Sequence, residues 1–193
     1  MPTVDLGETS LREFNQALHQ LREGTNETDW LVLKPKGHHA VAVGVDAPIR
    51  VAIKGSVGYY CGGMNKLATI VVDGSAGPGV AENMMSGVVV IESNAGSLTG
   101  AALRGGDLVV KGQVGARSGI DQKGGTIIVL GSAGSMTGFM MQRGRQILCG
   151  DVGHGLGDSM YDGTIYVGGK VRSLGIDCVP GEWTEADTEF VER

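Results

Sequence analysis

The residues of this chain that could do chemistry are three cysteines, four histidines and a scatter of carboxylates. Their spacing is the first constraint on function. Cys61, Cys149 and Cys178 stand too far apart for a zinc or iron–sulfur pattern and read as buried or half-buried thiols. Cys61, within Tyr59-Tyr60-Cys61-Gly62-Gly63-Met64-Asn65-Lys66, has the most distinctive neighbourhood, but a thiol nucleophile needs a paired base and none accompanies it. His38 and His39 are adjacent, so on an extended chain they point to opposite faces, and they read as a polar turn. His19 and His154 have no better claim to a metal. Gly153-His154-Gly155-Leu156-Gly157 imitates a nucleotide-binding turn, yet the required following helix and βαβ unit are missing. Asp73, Glu82 and Glu92 occur singly and at differing phases, so they make no acid/base pair. The expectation is no catalytic, cofactor-binding or metal-binding residue.

The elements that would have to position any site explain this scatter. Between Val51 and Pro180 the chain repeats every 19 residues. The markers are glycine quartets beginning at Gly55 and Gly74, at Ser93 in the third copy, and at Gly112, Gly131, Gly150 and Gly169. Their glycines, Gly55, Gly58, Gly74, Gly77, Gly96, Gly112, Gly115, Gly131, Gly134, Gly150 and Gly153, are the expected structural positions. Each quartet is followed by a β-branched run such as Ile70-Val71-Val72 or Ile127-Ile128-Val129, which is a strand signature. Two further small-residue columns, Gly62 to Gly157 (with Ala81) and Ala68 to Gly163, mark bends or close approaches. A 19-residue unit of strands and corners cannot bury its own apolar side, but stacked units can. The fold class is therefore all-β, a parallel β-helix of about seven 19-residue coils, roughly 34 Å long at about 4.8 Å per coil.

One strand column is unexpected in an isolated rod. If the first and third strand positions face inward, the middle row of Ala52, Val71, Val90, Val109, Ile128, Ile147 and Tyr166 lies outside, where polar residues are expected. Something should cover it. The residues that break the repeat with charge or amide groups form a strip on one side: Asn65, Lys66, Glu82, Asn83, Arg104, Asp121, Gln122 and Lys123. This strip is either a solvated edge or, with Tyr59, Tyr60 and Cys61, a partner interface.

Residues 1–50 hold an amphipathic helix and lead-in strands. Ser10-Leu11-Arg12-Glu13 fits a capping box, Leu11, Phe14, Leu18 and Leu21 share a face, and Gly24 should end the helix. It either seals the first coil or docks a neighbour. Trp30–Leu33 and Ala40–Val43 read as strands of an irregular lead-in coil. Residues 181–193 form an acidic tail, either solvated or laid as an arm across a partner, with Trp183 and Phe190 favouring the arm.

At 193 residues the chain fits one domain, and a net charge of −5 without a Lys/Arg run argues against nucleic acid or an anionic membrane as partner. No stretch is apolar enough to span a bilayer, and the start Met1-Pro2-Thr3-Val4-Asp5 is unlike a signal peptide, so a cytoplasmic location is expected.

The coils, as in Gly112 to Val129, resemble the GXGXG β-helix family. That family includes the C-terminal domain of the glutamate synthase large subunit and the β-helical subunits of formylmethanofuran dehydrogenase and of its formyltransferase/hydrolase counterpart. Ser10 to His19, Ile53 to Cys61 and Gly77 to Gly87 look most like the free-standing GXGXG subunit of N-methylglutamate synthase. The resemblance covers all but the acidic tail. It implies a right-handed β-helix with no chemistry of its own. It also implies an amidotransferase-like partner and a partner carrying FMN and iron–sulfur centres, in a complex that makes N-methyl-L-glutamate and ammonia from methylamine and L-glutamate. The alternatives are a subunit of another GXGXG complex, a free-standing scaffold, or an enzyme using Cys61.

Overall fold

A computed structural model describes residues 1–192. Its framework is one all-parallel sheet of nine strands in chain order. These are β1 (Thr3–Asp5), β2 (Asp29–Leu33), β3 (Arg50–Lys54), β4 (Thr69–Asp73), β5 (Val88–Ile91), β6 (Asp107–Val110), β7 (Lys123–Val129), β8 (Arg143–Leu148) and β9 (Thr164–Val167). Two short helices flank it, α1 (Leu11–Gln20) and α2 (Glu185–Val191). Such a sheet, in which each strand pairs in parallel with the next along the chain, is a β-solenoid of about seven turns.

The register confirms the 19-residue period. Arg50 lies opposite Thr69, Val88 opposite Asp107 and Arg145 opposite Thr164. The lead-in is more regular than expected, since β2 pairs with β3 in register from Asp29↔Arg50, a step of 21 residues. The sheet thus continues through the lead-in and ends on β1. Inside, the strand positions Ile53, Ile70, Ile91, Leu108, Ile127 and Leu148 are fully buried. Opposite them runs a ladder of single parallel bridges from Val57 through Ala76, Ala95, Val114, Ala133 and Val152 to Val171.

Each coil turns by a corner in which alternate residues adopt left-handed backbone. In one coil these are Leu98, Gly100 and Ala102 (φ 61°, 67° and 51°). The N–H groups of the outer two donate to the next coil, at Ala116 O (3.0 Å) and Ile120 O (2.8 Å), while the middle one donates back to Val80 O (2.8 Å). Only the middle residue points inward. A Cβ on Gly100 would lie 2.7 Å from Ile127 Cδ1 and 3.0 Å from Leu108 Cδ2, so this column is held by the smallest residues, whereas the outer positions accept Tyr60, Arg117 or Met136.

The same corner corrects one expectation. Ala40-Val41-Ala42-Val43 is not a strand: Ala40, Ala42 and Gly44 have φ of 54°, 53° and 66°, and the alternation of small residues with valine is the rhythm of a corner.

Helix α1 begins at Ser10 with both hydrogen bonds of the capping box. It closes at Gln20, because Leu21 is extended, and Gly24 turns the loop beyond it. Phe14 and Leu18 are buried, and Phe14 meets Trp30 edge to face at 6.4 Å. Asn15 pins the helix to the lead-in corner, donating to Ala40 O (2.8 Å) and accepting from Ala42 N (3.0 Å). The helix therefore seals the first coil of its own rod.

Candidate functional site

The strand pattern places the middle row outward as expected. Val71, Val90, Val109, Ile128 and Ile147 are half-buried, between the fully buried positions on either side of them in the same strands. Two outward-facing columns border the row. In one of them Lys54 pairs with Asp73 (3.0 Å) and Lys111 with Glu92 (2.6 Å). The charges of this column neutralise each other, while the other column holds Arg50, Asp107 and Arg145 among Thr69, Val88 and Thr126, and the apolar stripe runs between the two.

The last rung is different. Tyr166 is buried because the acidic tail folds back over it, rather than extending into solvent. The Tyr166 hydroxyl donates to Asp187 Oδ1 (2.7 Å), and its ring meets Trp183 edge to face (5.6 Å) and lies against Phe190 (5.7 Å). The Arg145 guanidinium sits 4.0 Å over the Phe190 ring, a cation–π contact. Thr184 caps α2, and the hydrogen bonds from Thr184 and Tyr166 hold the Asp187 carboxyl below its ordinary pKa. Desolvation, and then the bond to Asp187, push the Tyr166 hydroxyl up. Trp183 and Phe190 mark the tail as an arm in the sequence; what the sequence does not reveal is that its seat is Tyr166 and Arg145 of the same chain.

The polar strip divides. Lys66, Arg104 and Lys123 stack in one exposed or half-exposed column, with Lys66 paired to Asp46 (2.8 Å) and Lys123 to Asp121. Glu82 and Asn83 are half-buried at the neighbouring corner, and Tyr59 and Tyr60 lie side by side with His39 against Tyr59. Three expected interface residues are not on the surface. Asn65 is buried and binds Ala68 through both ends of its amide. Gln122 is buried, with its amide nitrogen donating to Gly124 O (3.0 Å) and Gly125 O (3.1 Å). Cys61 is buried as well. All three occupy inward-facing columns of the coil, where satisfying the backbone at a glycine bend or filling the lumen outweighs exposure.

Gln122 also accepts from Gln146 Nε2 at 3.0 Å, while Gln146 Oε1 is buried with no protein donor. Thr99, Ser118 and Thr137 are buried nearby in sequence phase, so coils three to five carry a polar seam inside the rod. The signal was present: Gln146 stands in a column otherwise held by Ile, Val and Leu.

Chemical candidates thin out further in three dimensions. Burial pushes the Cys61 thiol up to about 12, which keeps it protonated and unreactive at neutral pH. His39 Nδ1 accepts from Tyr59 N (2.9 Å), and His19 Nε2 bonds Val43 O (2.6 Å). Among the described residues no group of three His, Cys, Asp or Glu could hold a metal ion, and no helix is long and apolar enough to cross a membrane. A cleft of about 660 Å³ opens at the C-terminal end of the rod between Leu156, Met160, Ile165, Leu174 and Cys178. It is apolar, and Cys178 is its one titratable group.

No protein-family model matches the chain. Among solved structures, a chain of the formyltransferase/hydrolase complex of Methylorubrum extorquens, determined with methylofuran, superposes with a TM-score of 0.69 over 98% of this chain and 82% of that one. At 21% identity this likeness is one of fold. Protein GlxC of Rhizobium meliloti (strain 1021) is 66% identical over 182 residues, covering 94% of this chain and 80% of GlxC. With that identity and coverage, and with its coils closing into the solenoid that the glycine repeat implied, the chain belongs to the GlxC family of GXGXG β-helix proteins.

Proposed function

We propose that the chain is the non-catalytic assembly subunit of a cytoplasmic, glutamate synthase-like complex, and specifically of an N-methylglutamate synthase. In this reading it holds an amidotransferase-like subunit and an FMN/iron–sulfur subunit in register, while the complex converts methylamine and L-glutamate to N-methyl-L-glutamate and ammonia. The observation that carries it is the apolar stripe on the outer face of a rod whose best nucleophile is buried and protonated. A rigid rod with an apolar flank suits a spacer, because small misplacements of reacting groups are costly. A second reading, a subunit of a formyl-transfer complex, is favoured by the fold shared with the Methylorubrum extorquens complex.

The test is to isolate the protein from the cells that make it, weigh the intact assembly and record its visible spectrum. Stoichiometric flavin and iron–sulfur absorbance with an amidotransferase-like partner, together with loss of methylamine-dependent N-methylglutamate formation on gene deletion, is the expected result. A colourless monomer overturns the reading, and formation that persists without the gene rejects the specific complex.

A further inference from the structure

The tail shows what kind of element the outer face accepts. On each strand the residues two before and two after the middle one share its face, so the stripe is widest from β5 to β8, where Val90, Val109, Ile128, Leu130, Ile147 and Cys149 lie outward. It is continuous with the rung that α2 already covers. On that rung Asp187 and Trp183 meet Tyr166 of β9, and Phe190, three residues after Asp187, touches both Tyr166 and Arg145 of β8. Over three residues the helix thus advances from β9 alone to the boundary of β9 and β8.

That step follows from two spacings. A helix rises about 4.5 Å over three residues and 5.4 Å per turn, and neighbouring strands lie about 4.8 Å apart. A helix running along the rod can thus set one apolar side chain on each rung, at i, i+3, i+7 and i+10. A partner strand has no comparable way to bind here, since the stripe is a sheet face whose backbone groups are already paired along the solenoid.

We propose that the stripe from Val71 to Ile147 is the seat of an amphipathic helix from a partner subunit, lying along the rod axis in line with α2. Five rungs call for a helix of about 13 residues, at about 4.8 Å per rung and 1.5 Å per residue. The Lys54–Asp73 and Lys111–Glu92 pairs on one flank are self-neutralised and the other flank exposes Asp107 and Arg145, so the helix is seated by its apolar face and meets those two charges along one edge. This inference rests on the assembly role proposed above.

The test places a photo-reactive benzoylphenylalanine at Val109 and, separately, at Ile128, in the protein expressed in its own cells. Native mass measurement of each assembly accompanies the cross-linking. The expected result is that both positions cross-link one segment of one partner subunit, at residues three or four apart. Adducts to a second copy of this chain, adducts without helical spacing, or no adducts from an intact complex overturn the helix seat and leave the assembly role standing. Absence of any partner overturns both. As a second measurement, Val109→Lys, at a half-exposed site, should leave the melting temperature of the isolated chain within about 3 °C and reduce partner recovery at least tenfold; unchanged recovery overturns the proposal.

Discussion

Replacing Gly115 by alanine tests the stacking with the smallest possible change. A Cβ there would lie 2.6 Å from Ser97 N and 2.8 Å from the Gly96 carbonyl carbon in the preceding coil, against 3.4 Å for ordinary contact. Relief requires the coils to part by about 0.8 Å at that point, out of a spacing of about 4.8 Å. The opening strains the bonds from Gly115 N to Ala95 O and Gly96 O, both 3.1 Å. Overpacking of this kind costs about 1–3 kcal/mol and each weakened hydrogen bond about 0.5–1.5 kcal/mol, so about 3 kcal/mol in all. The control is Gly62→Ala. Gly62 has φ +64°, but its Cβ would meet nothing closer than 3.4 Å, and Ala81 already occupies the equivalent position at φ 56°. Its cost is the left-handed backbone alone, about 1 kcal/mol. Thermal unfolding at about 2–4 °C per kcal/mol for a chain of this size should lower the melting temperature by about 6–12 °C for Gly115→Ala and about 2–4 °C for Gly62→Ala. A larger loss for Gly62→Ala, or none for Gly115→Ala, refutes the assignment of the quartet glycines to close approach between coils.

Further outcomes can be checked on the isolated protein. Exposed Cys149 should react with a thiol reagent at pH 8 in the native state, whereas Cys61 should react only on unfolding; fast native labelling of Cys61 would contradict its burial. Because the Cys61 thiol is held up to about 12 when folded and lies near 9 when unfolded, the folded state keeps its proton longer. Its contribution to stability is complete below about pH 9 and declines as pH rises toward 12, and a urea midpoint that Cys61→Ala does not make less steep in that window would argue against it. Gln122→Leu removes a buried donor to the Gly124 and Gly125 carbonyls and should cost about 2–3 kcal/mol, while Gln146→Leu trades one orphaned oxygen for another and should be near neutral; equal losses would reverse the polarity assigned to the pair. Tyr166→Phe keeps the ring stack but removes the bond to Asp187, so Trp183 emission should shift less than in Tyr166→Ala; identical spectra would show that the tail does not rest on this ring.

The parts of this molecule that repeat were legible, and those that depend on a single pairing were not. Strand positions, the inward ladder and the apolar outer row follow from a period of 19 and the two-residue alternation of strands. The corners were half visible: glycine marked the inward left-handed residue, but its outer neighbours, such as Leu98 and Arg117, carry no signature because their strain is offset by bonds to other coils. Polarity misled at Asn65 and Gln122, which look like surface residues and instead satisfy backbone carbonyls at the bends. The tail's seat was hidden for the same reason. Nothing in Tyr166 or Arg145 alone announces Phe190.

The alternating corner has a consequence for how such a rod can change. Its N–H groups donate forward, backward and forward again, so a coil lacking either neighbour is left with unpaired groups, and a residue inserted inside a corner would put its donors out of step with both neighbours. Length along the axis therefore varies by whole coils, in increments of about 4.8 Å, whether a coil spends 19 residues or the 21 of the lead-in. The rod is a ruler with fixed divisions. A lineage that needed its bound subunits farther apart would have to duplicate an entire coil, and the distance between them would jump rather than drift.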